Sequence, residues 1–183
     1  MKSISATIIL ASLSLTNAYA PNVAVGIAAK GMGLLKPIFK LEAELQAAAL
    51  GAISKVDKED VVAEINELKK KNKALIYTYG LSPFSVEARN ILEGTDYQFT
   101  EVELGAEWFA LGGKESVTRV ALSEEVENGA TSLPKIFIGG QCIGGCSELA
   151  ELYENGELET ILSKAKVPKK GAAAKKGPFS FFN

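Results

Sequence analysis

An α/β fold, a four-stranded mixed sheet flanked by helices, is predicted by three features of this chain. A strand–helix–strand pattern runs from Ala74 to Leu104, and a helix-forming stretch follows from Lys114. A Gly139-Gly140 turn then joins two short apolar strands ahead of a last pair of helices. The first unit requires parallel strands and the glycine turn requires antiparallel ones, so the sheet has to be mixed.

The elements follow in order. Asp57 to Lys71 reads as a helix: Val61, Val62, Ile65 and Leu68 fall at helical spacing, and Lys69, Lys70 and Lys71 close it favourably with the dipole. Ala74 to Tyr79 is a short apolar strand. Gly80 and Leu81 turn it into a helix from Phe84 to Glu93, with Ser82 as N-cap, Pro83 in the first turn and Gly94 at the end. Tyr97 to Leu104 alternates as a strand, and Lys114 to Asn128 is a helix stopped by Gly129. Lys135 to Ile138 and Cys142-Ile143 form the glycine hairpin. Cys146 to Asn155 is a helix with Leu149, Leu152 and Tyr153 inward, and Leu158 to Ser163 is a short final one. Lys36 to Ile53 is a further Ala-rich candidate helix, and no internal repeat is evident.

Composition excludes several chemistries. The 183 residues suit one domain with extensions. Net charge is −2, which gives no basic field for nucleic acid. The chain has no histidine, which removes Ser-His-Asp and Cys-His catalysis and imidazole zinc sites. Cys142 and Cys146 are too few for a disulfide framework or a four-thiolate metal site, so no metal is expected.

The two ends read as extensions. Lys2, the apolar run Ile8 to Leu13 and the small residues Asn17-Ala18-Tyr19-Ala20 have the layout of a secretory signal. The junction Thr16 to Pro21 resembles the signal junction of proteins sent to the plastids of secondary-plastid algae. Residues 22–41 carry Lys30, Lys36 and Lys40 and no acid, as transit peptides tend to. The expected layout is a signal peptide over 1–20, a transit-like leader over 21–56, an N-terminal helix over 57–72, the main domain over 73–165 and a basic flexible tail over 166–183. A plastid reached through the secretory pathway is the expected location, with secretion or an endomembrane lumen as the alternative. Phe179, Phe181 and Phe182 end the tail and form a candidate docking peptide for a plastid protein complex.

Three segments carry a family resemblance. Tyr77-Thr78-Tyr79-Gly80-Leu81-Ser82-Pro83-Phe84-Ser85 resembles the first strand and active-site helix of glutaredoxins, whose motif is Cys-Pro-Tyr/Phe-Cys. Ser132-Leu133-Pro134-Lys135 resembles their Thr-Val-Pro strand start, with Pro134 as the cis-proline. Gly144-Gly145-Cys146-Ser147-Glu148-Leu149 resembles their Gly-Gly-Cys-Ser-Asp-Leu segment. The resemblance covers about residues 73–164 and implies a thioredoxin-like fold of glutaredoxin type with a glutathione site. It implies that Tyr79, Leu133, Pro134, Gly144, Gly145, Cys146 and Ser147 form that site. Leu133 would offer backbone to the glutathione cysteine, and the Cys146 and Ser147 N–H groups would hold the γ-glutamyl carboxylate.

The sequence departs from the family where the chemistry is done. Ser82 and Ser85 stand at the positions of the nucleophilic and resolving cysteines. An alcohol forms no disulfide, and no histidine base is present to activate one. Tyr79 replaces the lysine that the family uses for the glutathione glycine carboxylate, and Thr131 replaces a frequent basic residue. Iron–sulfur ligation, which some members achieve through the first cysteine, is not expected at Ser82. The main reading is a redox-inactive binding or assembly module in a plastid. The alternatives are a glutathione-dependent enzyme in which the Ser82 hydroxyl activates glutathione, as in serine-type glutathione transferases, or a disulfide oxidoreductase acting through Cys146.

Overall fold

Residues 56–105, 113–126 and 129–171 are described by the computed structural model. Helix α1 spans Lys58–Lys71. The Asp57 carboxylate accepts the Glu59 N–H at 2.9 Å, acids occupy the first turn and lysines the last, so both ends complement the dipole. Strand β1 covers Ala74–Tyr79, helix α2 Pro83–Glu93, strand β2 Thr100–Leu104 and helix α3 Gly113–Ser123. The hairpin strands β3 and β4 are Lys135–Ile138 and Gln141–Gly144, followed by α4, Cys146–Glu154, and α5, Leu158–Lys164.

The sheet order is β2-β1-β3-β4, with β1 parallel to β2 and antiparallel to β3, and β3 antiparallel to β4. The turn between β3 and β4 places both glycines at positive φ, Gly139 at 62° and Gly140 at 85°. Two successive left-handed residues are what a tight hairpin turn matching strand twist requires. Because β1 lies inside the sheet, both its faces are buried, which accounts for its unbroken apolar run. Ala74 and Ile76 join Ile91, Leu149, Leu158 and Leu162 in one core; Leu75 and Tyr77 join Val61, Ile65, Val117 and Phe137 in the other. The first core lies beneath α2, α4 and α5, the second beneath α1 and α3.

Three expectations change. The strand expected from Tyr97 begins only at Thr100. Residues 96–98 are engaged by the C-terminal segment instead: Gln98 N–H donates to Pro168 O at 2.8 Å, Lys170 N–H to Asp96 O at 2.7 Å, and Tyr97 bridges Lys169. The helix expected to reach Asn128 ends at Ser123 and continues as turns, with Glu124 N–H donating to Ala121 O and Glu125 N–H to Leu122 O. The segment expected to be flexible from Val167 is held down over Val167–Gly171. Val167 is buried, and the Lys170 ammonium donates to Glu93 O at 2.6 Å and Thr95 O at 2.7 Å, at the C-terminal end of α2. The Lys36–Ile53 helix, the leader and the Phe179, Phe181 and Phe182 end lie outside the described residues.

Candidate functional site

The turn from β1 into α2 is closed by Ser82 N–H donating to Tyr79 O at 2.9 Å, with Gly80 and Leu81 at its tip. Leu81 is the large apolar side chain most open to solvent among the described residues, at 79% exposure. A side chain at Gly80 would collide with the Glu103 carboxylate, which reaches across from β2. Ser82 caps α2: its Oγ accepts the Ser85 N–H, at a long 3.4 Å. Ser85 is turned inward, 1% exposed, and its Oγ accepts the Tyr79 N–H at 3.1 Å.

Beside this turn lies the loop into β3. The Leu133–Pro134 peptide is cis. Arg119 of α3 clamps the loop, its Nε donating to Thr131 O at 2.9 Å and its Nη2 to Thr131 Oγ1 at 3.2 Å. A guanidinium thus reaches the position where Thr131 had left the sequence without a basic residue. The Lys135 side chain is buried and donates to the Ser132 carbonyl.

The β4–α4 junction completes the cluster. Gly144 has φ +113°, and a Cβ there would lie 2.7 Å from Glu148 Cγ. A Cβ on Gly145 would lie 3.2 Å from Pro134 O, so α4 starts in close contact with the cis-proline strand. Glu148, at the third position of α4, folds back so that its Oε2 accepts the Gly145 N–H and the Ser147 hydroxyl, each at 2.9 Å. It is one arm of a capping box, and it brings a carboxylate to the helix N-terminus.

Tyr79, Ser82, Ser85, Leu133, Pro134, Gly144, Gly145, Cys146 and Ser147 thus lie on three segments at the same end of the adjacent strands β1, β3 and β4. Sequence reasoning missed the charges around them. Glu148 carried a signal, an acid three residues after a helix start. Glu103 and Arg119 carried none, since each arrives from a distant element. Neither cysteine is an activated thiol. Cys146 is 4% exposed, and burial, helped by Glu87 and Glu148, pushes its pKa up to about 11. Burial also raises Cys142, against the lowering pull of the Gly144 backbone. Among the described residues no three His, Cys, Asp or Glu side chains are grouped to hold a metal ion.

No family model matches the chain. Individual relatives do. A glutaredoxin of Pseudomonas aeruginosa is 32% identical over 89 residues, which cover 49% of this chain and 94% of that protein. The chain belongs to the glutaredoxin family. The chloroplastic monothiol glutaredoxin-S12 of Arabidopsis thaliana is 32% identical over 95 residues, 52% of this chain, and the match spans only half of that relative's length. Oxidized glutaredoxin 2 from Chlamydomonas reinhardtii superposes with a TM-score of 0.53 at 28% identity, covering 61% of this chain and 98% of its own. The buckwheat glutaredoxin–glutathione complex superposes at 0.52 with 17% identity, over 60% of this chain and 94% of its own, a likeness of fold. The four-stranded mixed sheet with flanking helices is therefore the glutaredoxin arrangement.

Proposed function

We propose that this glutaredoxin-family chain is a binding or assembly module that performs no disulfide exchange of its own. One observation carries the reading: at the two positions where the family places thiols, Ser82 and Ser85 spend their hydroxyl oxygens on hydrogen bonds inside the turn. An alcohol forms no disulfide, and the chain offers no histidine to activate one. Cys146 does not replace them, because a buried thiol with a pKa of about 11 holds almost no thiolate near neutral pH.

Glutathione is the ligand that the scaffold suits, cradled by Tyr79, Leu133, Pro134, Gly144, Gly145, Cys146 and Ser147. The complex of the buckwheat relative supports this. Binding is weakened by three features of this chain. Tyr79 supplies no cation, the Glu103 carboxylate lies over Gly80, and Glu148 already occupies the Gly145 N–H. A plastid is the proposed location, supported by the layout of residues 1–56 and by the chloroplastic Arabidopsis relative. Docking of Phe179, Phe181 and Phe182 on a plastid complex belongs to the same reading.

A second reading has one observation in its favour. In the bond that Ser82 makes, its oxygen accepts, which leaves the hydroxyl proton for donation to a glutathione sulfur. Calorimetric titration of the full chain with reduced glutathione, followed by a disulfide-reduction assay, tests both readings. Weak binding without turnover is expected. Turnover comparable to a dithiol glutaredoxin overturns the first reading, and transfer of glutathione to an electrophile without disulfide reduction establishes the second.

A further inference from the structure

Glutathione would bring two carboxylates to the serine-turn site. The γ-glutamyl one suits the N–H groups of Cys146 and Ser147, where α4 begins. The glycine one meets no cation at either position where the resemblance would place it. Tyr79 is uncharged, and Thr131 is neutral and 1% exposed. A carboxylate that leaves water needs a cation or well-placed donors in exchange.

The two flanks of the turn differ in charge. The sheet order β2-β1-β3-β4 puts β2 on one side of the turn that leaves β1 and the loop into β3 on the other. From β2 comes a carboxylate, that of Glu103, over Gly80. On the β3 side two cations reach the loop. Lys135 is 3% exposed, and its ammonium donates to the Ser132 carbonyl. Arg119 comes from α3 and is only half-buried. Its guanidinium lies against Thr131, at 2.9 Å from the carbonyl and 3.2 Å from the hydroxyl. Both of those acceptors are neutral, so clamping Thr131 leaves the positive charge of Arg119 in place, and a guanidinium keeps that charge at any physiological pH. Two residues beyond Thr131 is Leu133, the proposed backbone contact of the glutathione cysteine.

We infer that Arg119 is the carboxylate receptor of this site: it selects a γ-glutamyl peptide that ends in a free carboxylate and draws that end towards α3. This role rests on the glutathione reading and narrows it, because it names a group that the ligand must carry. The cation is supplied from a helix instead of from β1 or the loop itself. Its planar fork suits a carboxylate, and it pulls the ligand's negative end to the flank away from Glu103. Arg119 is thus a specificity-determining residue as well as the clamp of the loop.

Two probes isolate this contact: reduced glutathione and its glycine ethyl ester, which lacks only the C-terminal charge. Each is titrated at millimolar concentration into the full chain labelled with nitrogen-15, and amide shifts give the affinities. The wild type is expected to bind the acid about tenfold more tightly than the ester, as one charge-assisted pair provides. That preference should shrink in about 0.5 M salt, which screens the pair. Arg119→Gln should bring the acid down to the level of the ester while the ester binds as before, and Arg119→Lys should keep part of the preference. A guanidinium that only clamps the loop predicts otherwise: Arg119→Gln would weaken both probes alike, and that result overturns the role. Equal affinities of acid and ester in the wild type also overturn it, and leave the glutathione reading standing. A preference that survives intact in Arg119→Gln assigns the carboxylate to another group and refutes Arg119. Binding of neither probe overturns the glutathione reading itself, and the role of Arg119 with it.

Discussion

The Ser85 hydroxyl accepts the backbone N–H of Tyr79 at 3.1 Å, which ties the first turn of α2 back to the end of β1. Where the family resemblance implies a resolving thiol, Ser85 is a buried structural clip. Ser85→Ala should destabilise the protein by about 1–3 kcal/mol, the cost of stranding a donor in a site closed to water. Urea unfolding of the two proteins measures it, and equal midpoints would show that the bond contributes nothing.

Ser82→Cys should confer the disulfide exchange that the proposed function denies the wild type. Ser82 is half-buried at the N-terminus of an 11-residue helix, where the dipole and free N–H groups lower a thiol's pKa below the unperturbed value of about 8.5. The variant is expected to form a mixed disulfide with oxidised glutathione, seen as a mass increase, and Ser85→Cys is not, because that position is buried. A Ser82→Cys thiol titrating at its ordinary value would mean that the turn is not preorganised for thiolate chemistry.

The glycine pair ahead of α4 is predicted to tolerate no side chain. Gly144→Ala puts a Cβ on a residue at φ +113° and against the Glu148 side chain that holds the Gly145 N–H. A loss of about 1–3 kcal/mol is expected from the backbone conformation alone. Thermal unfolding reports it, and Gly156→Ala, at φ +72° with open space around it, separates backbone strain from the steric clash.

Cys146 makes stability fall at alkaline pH. Its folded pKa is raised to about 11, so the native state holds its proton more tightly than the unfolded chain does. That contribution is complete below the unfolded value of about 8.5 and is lost as pH rises towards 11. Cys146→Ala should flatten the stability profile between those limits. In the native wild type the thiol should resist a thiol reagent at pH 8 and react once the protein is unfolded. Rapid native labelling at Cys146 would refute its burial.

The C-terminal segment should be part of the folding unit as far as Gly171. A chain ending at Lys166 loses the burial of Val167 and both Lys170 contacts to the end of α2, and should be less stable by about 2 kcal/mol. A chain ending at Gly171 should match the full-length protein. Equal stability for the shorter truncation would show that the docked segment adds nothing.

Much of the fold was legible in the sequence, because the signals that specify it are local. Asp57 beside the apolar spacing of α1, Ser82 and Pro83 before α2, and Gly139-Gly140 between β3 and β4 each act within one turn of chain. Cap and hairpin chemistry can therefore be read residue by residue. The serines of the site were equally plain, since a missing thiol is a fact of composition. What only the tertiary structure decided are the contacts between distant elements. Residues 96–98 pair with 168–170 instead of extending β2, and Glu103 covers Gly80 from the neighbouring strand. The Arg119 guanidinium comes from α3 to the bare Thr131 position, and Tyr77 buries its hydroxyl with no hydrogen-bond partner among the described residues. None of these has a local signal, because each depends on where the sheet brings residues tens of positions apart, and on which of them lose water when it does.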